Sequence, residues 1–199
     1  MLSLGLSRVV AQNSVSGTGS YAPGGDLNTA SADYSTISGG KVNTVAAPYS
    51  TVGGGYLIYA TSDATYAAIA GGYQNTASAG QASISGGVSN IVSAAYGSIG
   101  GGTKNTASGE DSIIGGGYDN RGRAKDSTIG GGRTNVVDGD AEYGTIAGGV
   151  SNVASGSAST VAGGNTCTAH GTSSTVGGGD HNLAYAPSAV VAGGTSNTA

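Results

Sequence analysis

The sequence predicts an all-β chain wound as a parallel β-solenoid, and three observations lead there. A β-branched residue followed two and three positions later by Gly-Gly recurs at a fixed period of about 15 residues, lengthened by two in two of the units. Glycine supplies 40 of the 199 residues, while Trp and Phe are absent and Met occurs once. An Asn stands six positions beyond almost every β-branched residue.

The β-branched residues are the anchors of the repeat: Ile37, Val52, Ile69, Ile84, Ile99, Ile114, Ile129, Ile146, Val161, Val176 and Val191. Ala22 is a weaker first anchor, one period before Ile37. These anchors form the expected structural core. Self-similarity at a fixed period is the signature of stacked, quasi-one-dimensional architectures. The reading is about 12 coils of about 15–17 residues, a repeat domain over residues 20–199 preceded by an N-terminal segment, 1–19. Stacking at about 4.8 Å per coil predicts a rod roughly 55–60 Å long. Each column then has its own reason.

Gly at anchor+2 and anchor+3, from Gly24-Gly25 to Gly193-Gly194, implies positive φ or close backbone approach. The Asn column at anchor+6 comprises Asn28, Asn43, Asn75, Asn90, Asn105, Asn120, Asn135, Asn152, Asn182 and Asn197, with Ile58 and Cys167 as exceptions. Asn tolerates the left-handed region, and stacked amides form ladders. Anchor+8 is Ala or Val except at Gly122. Each coil thus offers two inward positions on two short extended segments. The two longer units carry an inserted pair, which preserves the in-out alternation that a single insertion would reverse.

Other classes are excluded by the same numbers. Two Gly per unit cost about 2 kcal/mol relative to Ala in a helix. Collagen needs Gly at every third position with abundant Pro, and here Pro occurs three times. Disordered chains are usually more charged and poorer in β-branched residues. A pI near 4.8 gives no basic footprint for nucleic acid, and no apolar run is long enough for a membrane span. The single Cys excludes an intrachain disulfide framework. The opening segment, Met1 to Ala11, resembles the end of a signal peptide without its basic region.

Two inward side chains bury little apolar area against the ordering entropy of a whole coil. A core shared among copies of the chain is therefore expected, in a closed homo-oligomer.

Segments such as Ser127-Thr128-Ile129-Gly130-Gly131-Gly132 with Asn135, and Asn105-Thr106-Ala107-Ser108-Gly109, resemble YadA-like head repeats. Those belong to trimeric autotransporter adhesins and related phage tail-fibre proteins. The family repeat is usually one residue shorter, with a Ser-Val-Ala-Ile-Gly-like core; this chain carries a longer variant with Gly-Gly-Gly. The resemblance implies a left-handed β-roll assembled as a homotrimer, extracellular, on a cell surface or virion.

No catalytic constellation and no cofactor motif is legible, so a non-enzymatic chain is expected. The recurring Gly-Gly is architecture; no phosphate-loop motif follows it. His170 and His181 stand in different columns, and Cys167 reads as a buried small residue. Asp138, Asp140 and Glu142, in an inserted loop, are a weak calcium candidate against a solvated turn. Arg121, Arg123, Lys125 and Arg133 stand near Asp119 and Asp126, which reads as a salt-bridged face. Stacking predicts pairing of Glu110, Lys125 and Asp140 at anchor+11, and of Lys104 with Asp119 at anchor+5.

Tyrosine is the one aromatic residue. Tyr34, Tyr49, Tyr66, Tyr96 and Tyr143 share anchor−3 and form the expected contact surface. Packing between coils or chains competes with that reading. The expected function is a structural or adhesive extracellular fibre module. Its partners are copies of itself and a host-surface glycan or matrix protein. A phage or virus tail-fibre shaft and an ice-binding solenoid are the alternatives, the latter because Thr recurs at anchor−1.

Overall fold

The computed structural model describes residues 12–199. The signal-like residues 1–11 lie outside the described residues. The chain is a parallel β-solenoid with two facing sheets, one of 12 strands and one of 11. All strands are two residues long, and no helix occurs among the described residues.

From Thr29–Ala30 onward, successive strands along the chain go alternately to the two sheets. In the 11-stranded sheet, running from Thr36–Ile37 to Val190–Val191, every anchor is the second residue of its strand. Ile37 pairs with Val52, Val52 with Ile69, and so on in unbroken register. The 12-stranded sheet carries the anchor+8 column, with Ala30 on Val45 and Val45 on Ala60. A third line of single bridges follows anchor+4, from Asp26–Lys41 to Asp180–Thr195.

The ladder starts earlier than residue 20. Ser14–Val15 pairs with Thr29–Ala30, so the first described coil begins inside the N-terminal segment 1–19. The signal was present: Asn13 stands one period before Asn28.

Both longer units keep the register. Their extra pair forms a tight turn, closed by Ala64 N–H on Thr61 C=O and Ala141 N–H on Asp138 C=O, each 3.0 Å. The turns seat Ala64 and Ala141 in the core.

The anchors are buried within a single chain; Ile37, Val52, Ile84 and Ile129 are at most 1% exposed. The premise behind a shared core therefore does not hold. The interior holds more than two residues per coil. Asn at anchor+6 and Ser or Ala at anchor−2 also point inward, as do Ala47, Ala124 and Ala141 in the following turn. Copies have no need to complete each other's core.

The corners carry the backbone strain. All twelve Gly at anchor+3 have positive φ, from 77° to 100°. A Cβ on Gly117 would collide with Gly132 O and lie 2.7 Å from Asn120 Nδ2. Gly at anchor+2 is different. A Cβ on Gly148 or Gly163 would meet nothing within 4 Å. The common reason expected for both columns applies in full to the second alone.

Two further positions per coil are left-handed without being Gly. Anchor+5 includes Leu27 (φ 55°), Lys104 (59°) and Asp119 (53°); anchor−3 includes Tyr34 (55°), Tyr66 (62°) and Asp126 (54°). The left-handed region costs an L-residue about 1–2 kcal/mol. Stacking holds them there: Tyr49 N–H donates to Asp33 O (3.0 Å) and Lys104 N–H to Val88 O (2.9 Å), each in the preceding coil. The ladder Asn are not among the left-handed residues; their work is inside.

Candidate recognition surface and the asparagine ladder

The Asn column is a hydrogen-bonded ladder. Asn43 is representative. Its backbone N–H donates to Asn28 Oδ1 (3.0 Å), and its own Oδ1 accepts from Ile58 N–H (3.0 Å). Its Nδ2 donates to Gly39 O (3.1 Å) in its own coil and Gly55 O (3.0 Å) in the next. The same three-way pattern holds Asn90, Asn105, Asn120 and Asn135. Amide and Gly column are one device. The positive-φ Gly turns its carbonyl toward an Nδ2, and the missing Cβ leaves room for the amide.

Asn13 extends the ladder upstream, its Oδ1 accepting from Asn28 N–H (2.9 Å). Cys167 replaces the amide with a thiol, buried, with Sγ 3.5 Å from Gly179 O. Ile58 fills its place with hydrocarbon.

The Tyr column divides. Tyr34 and Tyr49 stack with ring centroids 5.3 Å apart at 8°, and Tyr49 and Tyr66 at 5.1 Å and 14°. Gln81 separates Tyr96 from this stack, and Asp111 and Asp126 separate Tyr143. The rings remain half exposed or more. Because the coils space the rings at stacking distance, the inner faces cover one another. A partner meets ring edges and hydroxyls, with one flat face at each end of the stack. A second stack, Tyr56 on Tyr73 (5.6 Å), follows anchor+4.

The acidic loop does not assemble a ligand set. Asp138 pairs with Arg123 (3.2 Å), and the described residues contain no group of three His, Cys, Asp or Glu placed to hold a metal. Asp138 is half-buried, and Asp140 and Glu142 are exposed.

The surface charges pair locally. Arg121 pairs with Asp119 (3.0 Å) and Lys125 with Glu110 (3.6 Å). The Lys125–Glu110 contact is the coil-to-coil pairing expected at anchor+11. Lys104 instead lies over the Tyr118 ring, 5.7 Å from its centroid. The Glu110 carboxylate, then Asp126, raises the Lys125 ammonium above its ordinary value. The Asp180 carboxyl is held below its usual range, first by Asn165 Nδ2 (2.7 Å) and then by His181 (2.9 Å). His170 stacks on Tyr185 (4.9 Å). These are exposed pairs, each of small energetic weight.

No protein-family model and no curated protein matches this chain. No helix among the described residues is long and apolar enough to cross a membrane.

Proposed function

We propose that this chain is a non-catalytic structural or adhesive module of an extracellular or virion fibre, working as a homo-oligomer. The observation that supports it is the register. Coils stack in line from Ser14 to Val191, an architecture that builds length and presents the same surface positions at each step. The resemblance to YadA-like head repeats favours the same reading and adds a threefold assembly. Adhesive contact falls to the Tyr34–Tyr49–Tyr66 stack, whose edges and hydroxyls meet a host-surface glycan or matrix protein.

The test combines mass in solution, electron microscopy and binding to arrayed glycans and matrix proteins. Rod-shaped oligomers with binding lowered by Tyr49→Ala support the reading. A lone chain that binds none of them at any concentration sinks it.

One observation favours a second reading, an ice-binding solenoid. Thr36, Thr51, Thr128, Thr145, Thr160 and Thr175 line the outer face of the 11-stranded sheet, in register. Thermal hysteresis at the freezing point decides it.

A further inference from the structure

The outer face of the 11-stranded sheet carries no charge. Among the described residues, every Asp, Glu, Lys and Arg falls outside the positions from anchor−2 to anchor+3. What faces outward is mostly Thr, Ser, Ala and Gly at anchor−1 and anchor+1; the larger side chains are Ile113 (50% exposed), Val190 (65%) and, at the end where it bridges to Thr36, Tyr21 (61%), with Pro23 beside it. Ile113 stands beside Gly100, Gly115 and Gly130, so it projects from a bare floor.

The same face has a hollow. A shallow depression of about 210 Å³ is lined by Thr51, Gly53, Ala68, Ala70, Ser83 and Ser85. Ala68 forms its centre, where neighbouring coils carry Thr51 and Ser83. The Ile113 knob and this mostly apolar hole stand in the same column, three coils apart.

We propose that this face pairs with a second copy of the chain, rods antiparallel, so that Ile113 of each copy enters the Ala68 depression of the other. The proposal rests on the homo-oligomeric reading and names its surface. The two-fold axis lies in the plane of contact, parallel to the strands, so the rods run antiparallel while the strands of the two copies run the same way, and the contact is isologous. Counting Thr36–Ile37 as the first of the eleven strands, Ile113 is on the sixth and Ala68 on the third. Seating both knobs places Thr51 opposite Thr128, Ser83 opposite Ser98, and Thr36 opposite Thr145. The eight coils from Thr36 to Thr145 overlap with small residues against small residues everywhere but at the two knobs, and beyond them Tyr21 of each copy faces Thr160 of the other. Parallel two-residue strands in unbroken register keep the face flat enough to touch along its length. Eight coils at about 4.8 Å and a width of three residues give about 400 Å² of flat face per copy. That is the size of a weak, reversible pair.

The test is sedimentation across a concentration series up to about 1 mM, with folding checked by circular dichroism. The expected result is a monomer–dimer equilibrium whose dissociation constant rises at least about tenfold in Ile113→Lys and in Ala68→Lys. Ile91→Lys, on the 12-stranded sheet, leaves it unchanged. Should the lysine variants fold poorly, cysteine pairing reads the register directly. A mixture of Ile113→Cys and Ala68→Cys chains forms a mixed disulfide under mild oxidation. Ile113→Cys linking to itself, or Val190→Cys linking to Ala68→Cys instead, overturns the proposal. So does a monomer at every concentration. A monomer whose thermal hysteresis falls in Ile113→Lys gives the face to ice. A trimer indifferent to Ile113→Lys overturns the pairing and leaves the fibre reading standing.

Discussion

The two corners of each coil solve the same problem differently. At the Gly–Asn corner, every ladder amide between Asn90 and Asn135 has both its donors and its acceptor engaged. At the opposite corner, the anchor−2 column buries hydroxyls, and those of Ser112, Ser127, Ser159 and Ser174 have no hydrogen-bond partner among the described residues. Ser35 Oγ, by contrast, donates to Ala32 O (2.7 Å). The sequence varies accordingly. The serine column turns to Ala67, Ala82, Gly97, Gly144 and Ala189, whereas the amide column gives way at Ile58 and Cys167 alone. A buried polar group that is satisfied specifies its position, while one that is not costs about 1–3 kcal/mol and is readily replaced.

The comparison breaks most sharply at the glycines. Gly117→Ala forces a Cβ against Gly132 O and Asn120 Nδ2 at a φ of 93°, so chemical denaturation should register a loss of about 3 kcal/mol or more. Gly148→Ala, in the neighbouring column with open space, should be neutral or stabilising by up to about 1 kcal/mol. Equal losses at the two sites would end the distinction between the columns.

Asn105→Ala comes next. It strands Gly101 O and Asn120 N–H and leaves Gly117 O with Thr103 N–H alone, for about 2–4 kcal/mol. Amide exchange should rise most in the coils of Asn105 and Asn120, since coils couple to nearest neighbours. Ser112→Ala removes an unpartnered hydroxyl and should raise the melting temperature slightly or leave it unchanged. A loss above about 1 kcal/mol would show that the hydroxyl has a partner.

The smallest effect is at Asp180. A carboxyl held below its ordinary value stabilises the fold above its unfolded pKa and loses that contribution as pH falls through the folded one. Wild type and Asp180→Asn should therefore differ slightly at neutral pH and converge in acid. Convergence at high pH instead would reverse the sign.

Much of this was legible in the sequence. The period named the coils, the anchors and the amide column, because stacking forces equivalent residues onto one line. Asn13 was equally legible once the series ran one unit further upstream. The left-handed residues were not. Tyr34, Gln81, Asp126 and Ser173 share a backbone conformation, with no common side-chain chemistry to announce it, because the adjacent coil imposes it. The self-contained core was missed for a related reason. Inward polar residues such as Asn105 and Ser127 do not count as hydrophobic, yet they occupy interior volume. The contact surface was half legible, since column membership placed the Tyr residues but did not show that stacking hides ring faces.

The winding of the chain across the rod has a mechanical consequence. Each coil stores about 50 Å of contour in about 4.8 Å of axial rise. A pull between the ends of the solenoid therefore unwinds it like thread from a spool. Each released coil pays out roughly ten times its stacked height at nearly constant force. The Ile58 and Cys167 positions, where the amide ladder pauses, set the force of two particular steps apart from the rest.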